Sequence, residues 1–252
     1  IEESLKKNTK GIFIETPSNP LMKVTDLKAV AKLAQAHHLL LMVDNTFLTP
    51  YYQRPLELGA DVVVHSGTKY LGGHNDTLAG FIVVKDQSLQ ERLAFLHKSV
   101  GAVLAPFDCW LILRGLKTLG VRLDKQQANA LELAQWLKRK KQVEEVYYVG
   151  LKDHEGYEIS RQQASGFGAM ISFRVKNEAL VEKILSRVKI ISFAESLGGV
   201  ESLITYPFTQ THGDVPLEIR KNLGVDERLL RLSVGIEEVE DLIQDLEQAM
   251  EG

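Results

Sequence analysis

Val62-Val63-Val64-His65-Ser66-Gly67-Thr68-Lys69-Tyr70 is a β-branched run that ends abruptly in small hydroxyl residues, a glycine and a lysine. Its composition is that of a buried strand, and the glycine punctuates it. Upstream, Leu39-Leu40-Leu41-Met42-Val43 is a second apolar run that delivers Asp44 at its own end. In parallel α/β sheets ligands bind outside the carboxyl ends of the strands, so both polar tips are expected to face one crevice. An amine and a carboxylate meeting there, with the hydroxyls of Ser66 and Thr68 beside the amine, suit an aldehyde cofactor that carries a phosphate.

The rest of the composition narrows the field. With 252 residues the chain can bury a substantial core as one large or two ordinary domains. A net charge of −3 argues against a nucleic-acid or membrane-surface partner. No apolar stretch approaches the roughly 20 residues that span a bilayer, and the start lacks the charged and apolar regions of a signal peptide. Cys109 is the single cysteine, which removes intrachain disulfides and cysteine-based zinc sites. A cytoplasmic location is expected. The chain opens on Ile1, and residues 1–10 read as the tail of a helix entering a strand. An open sheet needs more strands than the few before the helical region, so the expectation is a fragment that lacks upstream strands, the alternative being a chain that simply begins there.

Strands and helices alternate through the first third. Strand 11–15 ends at Thr16-Pro17-Ser18-Asn19-Pro20, whose prolines forbid continuation. Asp26 occupies an N-cap position before a helix over 27–37, with Val30, Leu33 and Ala34 on one face. Strands 39–43 and 61–65 follow, and after Gly72-Gly73 residues 81–84 read as another buried strand; parallel pairing with right-handed crossovers is expected. The pattern over 88–141 is helical, with Pro106 at a helix start and Gly115 and Gly120 as interruptions. Lys138-Arg139-Lys140-Lys141 reads as a solvated C-terminal turn favoured by the helix dipole. Strands at 145–149, 169–175, 202–205 and 229–234 and helices at 178–187 and 237–250 then suggest a second, α+β domain starting near residue 120.

A lysine desolvated at a strand end has a lowered pKa and becomes a competent Schiff-base former. Pyridoxal phosphate requires such a lysine, an acid for its ring nitrogen and donors for its phosphate. Lys69, Asp44, and the pair Ser66 and Thr68 can supply these in turn; an exposed loop lysine and a capping aspartate are the bland alternatives. A Schiff-base aldolase would need neither Asp44 nor the paired hydroxyls. Gly67-Thr68-Lys69 lacks the spacing of a phosphate-binding NTPase loop, and no dinucleotide fingerprint follows a strand. His65, His74 and His212 show no metal spacing and read as structural.

Val43-Asp44-Asn45-Thr46-Phe47, Gly59-Ala60-Asp61 and His65-Ser66-Gly67-Thr68-Lys69-Tyr70-Leu71-Gly72-Gly73-His74 closely resemble the Cys/Met-metabolism family of pyridoxal-phosphate enzymes. Collinear agreement extends through residues 15–20, Leu113-Arg114-Gly115-Leu116-Lys117-Thr118-Leu119, Ser165-Gly166-Phe167-Gly168, Ala194-Glu195-Ser196-Leu197-Gly198-Gly199, Thr211-His212 and Arg231-Leu232-Ser233-Val234-Gly235. The family comprises cystathionine γ-synthases, cystathionine β- and γ-lyases, methionine γ-lyases and homoserine sulfhydrylases. The resemblance implies a fold-type-I enzyme: residues 1–120 as the remainder of a large cofactor-binding α/β domain and 121–252 as the smaller C-terminal α+β domain. It implies that Lys69 carries the cofactor and shuttles protons, Asp44 pairs with the ring nitrogen, and Ser66 and Thr68 hold the phosphate. Arg231 would grip the substrate α-carboxylate, Ser196 and Asn19 would assist that grip and orient Lys69, and Thr211 would support the site from behind.

Family members also carry, nearer the N-terminus, a ring-stacking tyrosine, a glycine-containing phosphate loop and a Tyr/Arg pair reaching a neighbouring subunit. None can be placed in this sequence, so the expected native protein is a longer chain, and the present one alone is expected to be inactive or poorly folded. Glu195 resembles the residue of γ-type enzymes where some β-lyases carry tyrosine. The resemblance therefore favours γ-replacement, with cysteine or sulfide displacing the acyl group of an O-acylhomoserine. A cystathionine β- or γ-lyase is the rival, and a non-catalytic relative the remote alternative. The implied partners are small amino acids (cystathionine, O-acylhomoserine, cysteine), with no nucleic acid or membrane, in a homotetramer built of dimers.

Overall fold

Three apolar runs become parallel strands in the computed structural model, which describes residues 1–211 and 213–251. They are β1 (Gly11–Glu15), β2 (Leu40–Asp44) and β3 (Val62–Ser66), in that spatial order. The register sets Glu15 opposite Asp44, and Asp44 opposite Val64, so the carboxyl edge of the sheet collects Glu15, Asp44 and Ser66. Helix α1 (Leu27–Ala36) starts where the sequence predicts, with the Asp26 carboxylate accepting from the Ala29 amide at 3.0 Å. Its Leu27, Val30 and Ala34 pack on Ile12, Leu41, Val43 and Val63. The opposite sheet face stays open at Phe13, which is 61% exposed.

The fourth strand corrects the sequence reading twice. β4 (Gly80–Val84) runs antiparallel to β3, pairing Val62 with Val84 and Ser66 with Gly80. No crossover helix carries the chain across: residues 67–71 form a single π-helical turn, closed by the Gly72 amide on the Gly67 carbonyl at 2.9 Å. The Gly67 amide then bonds the Ala79 carbonyl at 2.8 Å, so the chain folds back beside the strand it left. Nor is β4 buried, since Ile82 and Val83, on opposite faces of the strand, are both exposed.

After the short α2 (Thr49–Tyr52), the helical region divides into α3 (Gln87–Val100), α4 (Pro106–Leu116) and α5 (Leu119–Lys138). Gly115 and Gly120 do not interrupt it, because both lie within helices and the break falls at Lys117-Thr118. Gly115 serves close approach: a Cβ there would stand 2.2 Å from the Gly72 carbonyl oxygen. The basic run is not uniformly solvated either, for Lys140 pairs with Glu247 and lies over the Trp136 ring.

The second sheet has five strands, β5 (Val143–Tyr147), β6 (Met170–Val175), β7 (Ser192–Phe193), β8 (Leu203–Thr205) and β9 (Leu229–Ser233), in the spatial order β5-β6-β9-β8-β7. β5 starts two residues earlier than the sequence predicts, because Tyr148 and Val149 are apolar and buried yet lie beyond the strand. Helices α6 (Tyr157–Gln163), α7 (Ala179–Arg187), α8 (Leu217–Leu223) and α9 (Val239–Glu251) complete the chain. Leu123, Leu133 and Leu137 of α5 share one core with Ile171, Phe173, Leu230 and Leu232, and also with Phe47, Leu48 and Tyr70 from the first third of the chain. That shared core brings the two sheets to a common seam.

Buried Asp245 on α9 accepts from the amides of Lys189, Ile190 and Ile191 at 2.8–3.0 Å. Asp245→Ala would leave these donors without an acceptor and is expected to cost about 3 kcal/mol, read by chemical denaturation. A loss under about 1 kcal/mol would show that water replaces the carboxylate.

Candidate functional site

The carboxyl edge of the first sheet is stitched together by its own polar tips. Asp44 accepts the Thr46 amide at 2.9 Å, and the Thr46 hydroxyl accepts the Ser66 amide at 2.9 Å, which fixes the ends of β2 and β3 against each other. The Ser66 hydroxyl has no hydrogen bond among the described residues. Thr68 accepts the Ala79 amide at 3.0 Å and donates to the Ala79 carbonyl at 3.3 Å. Lys69 breaks the helical dihedrals of its turn, at φ −93° and ψ −128°. From there its Nζ reaches the Ser196 Oγ at 3.1 Å.

Arg231 enters from β9, nearly closed to solvent at 2% exposure. Its Nη1 donates to the Asn19 side-chain oxygen at 2.8 Å, and its Nη2 to the Ser196 carbonyl and to the Thr205 hydroxyl, both at 3.1 Å. Thr205 is the residue opposite Arg231 across the β8–β9 pair, so sheet register supplies that partner. Ser196 thus joins two cations: its hydroxyl meets the amine and its carbonyl meets the guanidinium. It does so at φ +95°, a backbone region that L side chains rarely adopt.

Burial governs the electrostatics. Desolvation pushes the Lys69 amine below its ordinary value, and nearby Arg231 pushes the same way while Glu195 opposes. Desolvation also lowers Arg231 to about 10, partly offset by Glu195 and Glu15, and the group remains protonated at neutral pH. Glu15 moves upward, chiefly because it is buried and further because Asp44 faces it; the Asn19 amide at 3.2 Å and Arg231 pull the other way.

Hydrogen bonds therefore connect Lys69, Ser196, Arg231 and Asn19, while Asp44, Ser66 and Thr68 gather at the strand ends beside the lysine. Glu195 is exposed next to Ser196, and Thr211 is exposed in the turn after β8. His74 bonds the Gly72 carbonyl at 2.8 Å and His65 is buried. His212 lies outside the described residues. Among the described residues no three His, Cys, Asp or Glu side chains converge as a metal site. Two contributors carried no role in the sequence reading, Glu15 and Thr205. Glu15 closes β1 as Asp44 closes β2, and that parallel was the available signal; Thr205 gave none before the sheet register was known.

The donor set fits pyridoxal phosphate. Lys69 offers an amine of lowered basicity, Asp44 has a carboxylate oxygen with no hydrogen bond among the described residues, and Ser66 and Thr68 bring hydroxyls to the same edge. Thr68, Glu195 and Ser196 also line a cavity of about 740 Å³. Because the folded chain holds the Glu15 proton more tightly than the unfolded chain, this group contributes stability in full below its ordinary 4.5 and loses it as pH rises through the folded value. Glu15→Gln stays neutral and is expected to gain stability relative to wild type between about pH 4 and about pH 7, measured by urea unfolding. An equal difference at both pH values would contradict the shift.

The sequence profile of the Cys/Met metabolism PLP-dependent enzyme family matches residues 1–251. The cystathionine β-lyase of Lactococcus lactis is 48% identical over 251 residues, covering 100% of this chain and 66% of that protein. The cystathionine γ-synthase of Haemophilus influenzae is 53% identical over 249 residues, covering 99% and 63%. The crystal structure of cystathionine γ-lyase from Lactobacillus plantarum complexed with L-serine superimposes with a TM-score of 0.95 at 45% identity, covering 98% of this chain and 65% of that one. The chain thus spans just under two thirds of the length of the curated relatives it matches, and its fold is that of fold-type-I PLP-dependent enzymes. With Lys69 and Asp44 at adjacent strand ends and the profile matched throughout, the chain belongs to the Cys/Met metabolism family of PLP-dependent enzymes.

Proposed function

We propose that the protein performs trans-sulfuration chemistry as a cystathionine γ-synthase, replacing the acyl group of an O-acylhomoserine with cysteine or sulfide. The amino-acid chemistry in this reading is carried by the Lys69–Ser196–Arg231 connection, an amine and a carboxylate receptor joined through one residue, and the preference for γ-replacement by Glu195 beside it. Bound at Lys69, with Asp44 on its ring nitrogen and Ser66 and Thr68 on its phosphate, pyridoxal phosphate would supply the electron sink for the pair left at the substrate Cα. Arg231, held in plane by Asn19, Ser196 and Thr205, would bind the substrate α-carboxylate. Lys69, its basicity lowered by burial, would take the Cα proton and move protons between Cα, Cβ and the leaving group, while the Ser196 hydroxyl steers its amine. Glu195, exposed at the cavity wall beside Ser196, would face the distal part of the substrate, with Thr211 supporting the site.

Cystathionine lyase activity is the second reading, favoured by relatives named as β- and γ-lyases at 48% and 49% identity over the whole chain. The proposal extends to a division near residue 120, to a homotetramer of dimers and to a cytoplasmic location. The two separate sheets support the division. Among the described residues no helix is long and apolar enough to cross a membrane.

The full-length protein loaded with cofactor decides between the readings. Cystathionine formed from O-acylhomoserine and cysteine supports the synthase; homocysteine with pyruvate, or cysteine with 2-oxobutyrate, from cystathionine would replace it by a β- or γ-lyase. In whichever assay is positive, Lys69→Ala is expected to abolish turnover. Arg231→Lys is expected to lower kcat/KM by about a hundredfold, since a lysine cannot reproduce the planar fork. Wild-type kcat/KM in Arg231→Lys would refute the carboxylate role.

A further inference from the structure

Helix α5 carries a polar stripe where it faces the interior. Arg122, Gln126 and Asn129 stand at i, i+4 and i+7, hence on one face, and are 4%, 0% and 2% exposed. Among the described residues Arg122 has no carboxylate partner, and all three side chains donate mainly to backbone carbonyls. Arg122 reaches the Tyr70 carbonyl at 2.9 Å and the Gly115 carbonyl at 2.8 Å, with the Thr118 hydroxyl at 3.1 Å. Gln126 donates to the Gly199 carbonyl at 2.7 Å. Asn129 donates to the carbonyls of Gly235 at 3.1 Å and Glu237 at 2.8 Å.

The receiving segments are those that bear the site. Tyr70 follows Lys69, Gly199 lies in the loop that holds Glu195 and Ser196, and Gly235 lies just beyond β9, the strand of Arg231. Approach is close enough that a Cβ on Gly73 would fall 2.2 Å from the Arg122 Nη1. Packing alone gives no reason for this stripe. A buried guanidinium without an acid is desolvated at a cost, and among the described residues the buried Gln126 Oε1 has no partner. Apolar side chains of similar volume would avoid both penalties but would strip the carbonyls of Tyr70, Gly199, Gly235 and Glu237 of these donors, so the stripe is accounted for by the segments it holds.

We propose that Arg122, Gln126 and Asn129 are positioning residues that fix Lys69, Ser196 and Arg231 relative to one another. The proposal rests on the amino-acid chemistry assigned above to those three residues. One rigid helix holds three segments far apart in sequence, through the carbonyls of Tyr70, of Gly199, and of Gly235 and Glu237. A shift of about 1 Å between reacting groups can cost on the order of a hundredfold in rate, so such a fixture has a kinetic consequence.

The test uses the full-length, cofactor-loaded protein and the variants Gln126→Leu and Arg122→Lys. Two readouts accompany the thermal midpoint: kcat in the product assay, and the pH midpoint of the visible absorbance band without substrate. Gln126→Leu is expected to keep its Tm within about 4 °C while kcat falls at least about tenfold and the absorbance midpoint moves. Wild-type kcat and midpoint would overturn the proposal, as would activity lost only in step with Tm while the midpoint stays fixed. If Gln126→Leu does not fold, Arg122→Lys carries the same measurements, because it keeps the charge and loses the fork; an unmoved midpoint there overturns the proposal. Should the unaltered protein turn over no amino acid tested, the reaction reading fails, whereas a moved midpoint in either variant still upholds the positioning role.

Discussion

The site depends on two cations being held close together without an intervening acid. Burial lowers both groups, and Arg231 lowers Lys69 further. Ser196 resolves the conflict with two acceptors, a hydroxyl for the amine and a carbonyl for the guanidinium, each at 3.1 Å. Presenting both from one residue requires the left-handed backbone at φ +95°, which a β-branched or bulky side chain would tolerate less well. The arginine keeps its charge at neutral pH because guanidinium starts far above it, whereas the lysine, starting lower, is brought towards the range where proton transfer is useful. On the proposed reading, one environment thus serves both a permanent cation and an amine that exchanges a proton.

The strands supply the other half of the geometry. Parallel register aligns the ends of β1, β2 and β3, so Glu15, Asp44 and Ser66 fall along one edge without any long-range contact being needed to select them. Antiparallel return through β4 then does something a crossover helix could not. It brings Ala79 back against Thr68 within a few residues of the lysine, and the wide turn between them leaves Lys69 free of helical dihedrals. The same turn packs so tightly on α4 that only glycine fits at position 115.

Much of this was legible in the sequence because it rests on local patterns. Apolar runs ending in polar tips located Asp44, Ser66, Thr68 and Lys69, and Asp26 marked the start of α1. Pairing direction was not legible, since residues 80–84 read alike whether they run with or against β3. Glu15 was visible as a strand-end carboxylate, but its burial beside Asp44 depends on register. Thr205 met Arg231 only through the order of the second sheet. Arg122, Gln126 and Asn129 were the least legible: polar residues at helical spacing ordinarily mark a solvated face, and only tertiary packing turns that face inward.

The inward turn explains why the polar groups and the main core occupy the same seam. Leu123, Leu133 and Leu137 anchor α5 in the core that joins the two sheets, while the polar stripe between them meets the site segments. Apolar burial of this helix is worth several kcal/mol at about 25 cal/mol per Å², ample to offset a guanidinium bonded only to neutral acceptors and one orphaned amide oxygen. Stability drawn from the leucines is thereby converted into fixed distances among Lys69, Ser196 and Arg231. A core substitution on α5 such as Leu123→Ala would then act on the site without touching it, because the helix that carries the donors would lose the packing that holds it in place.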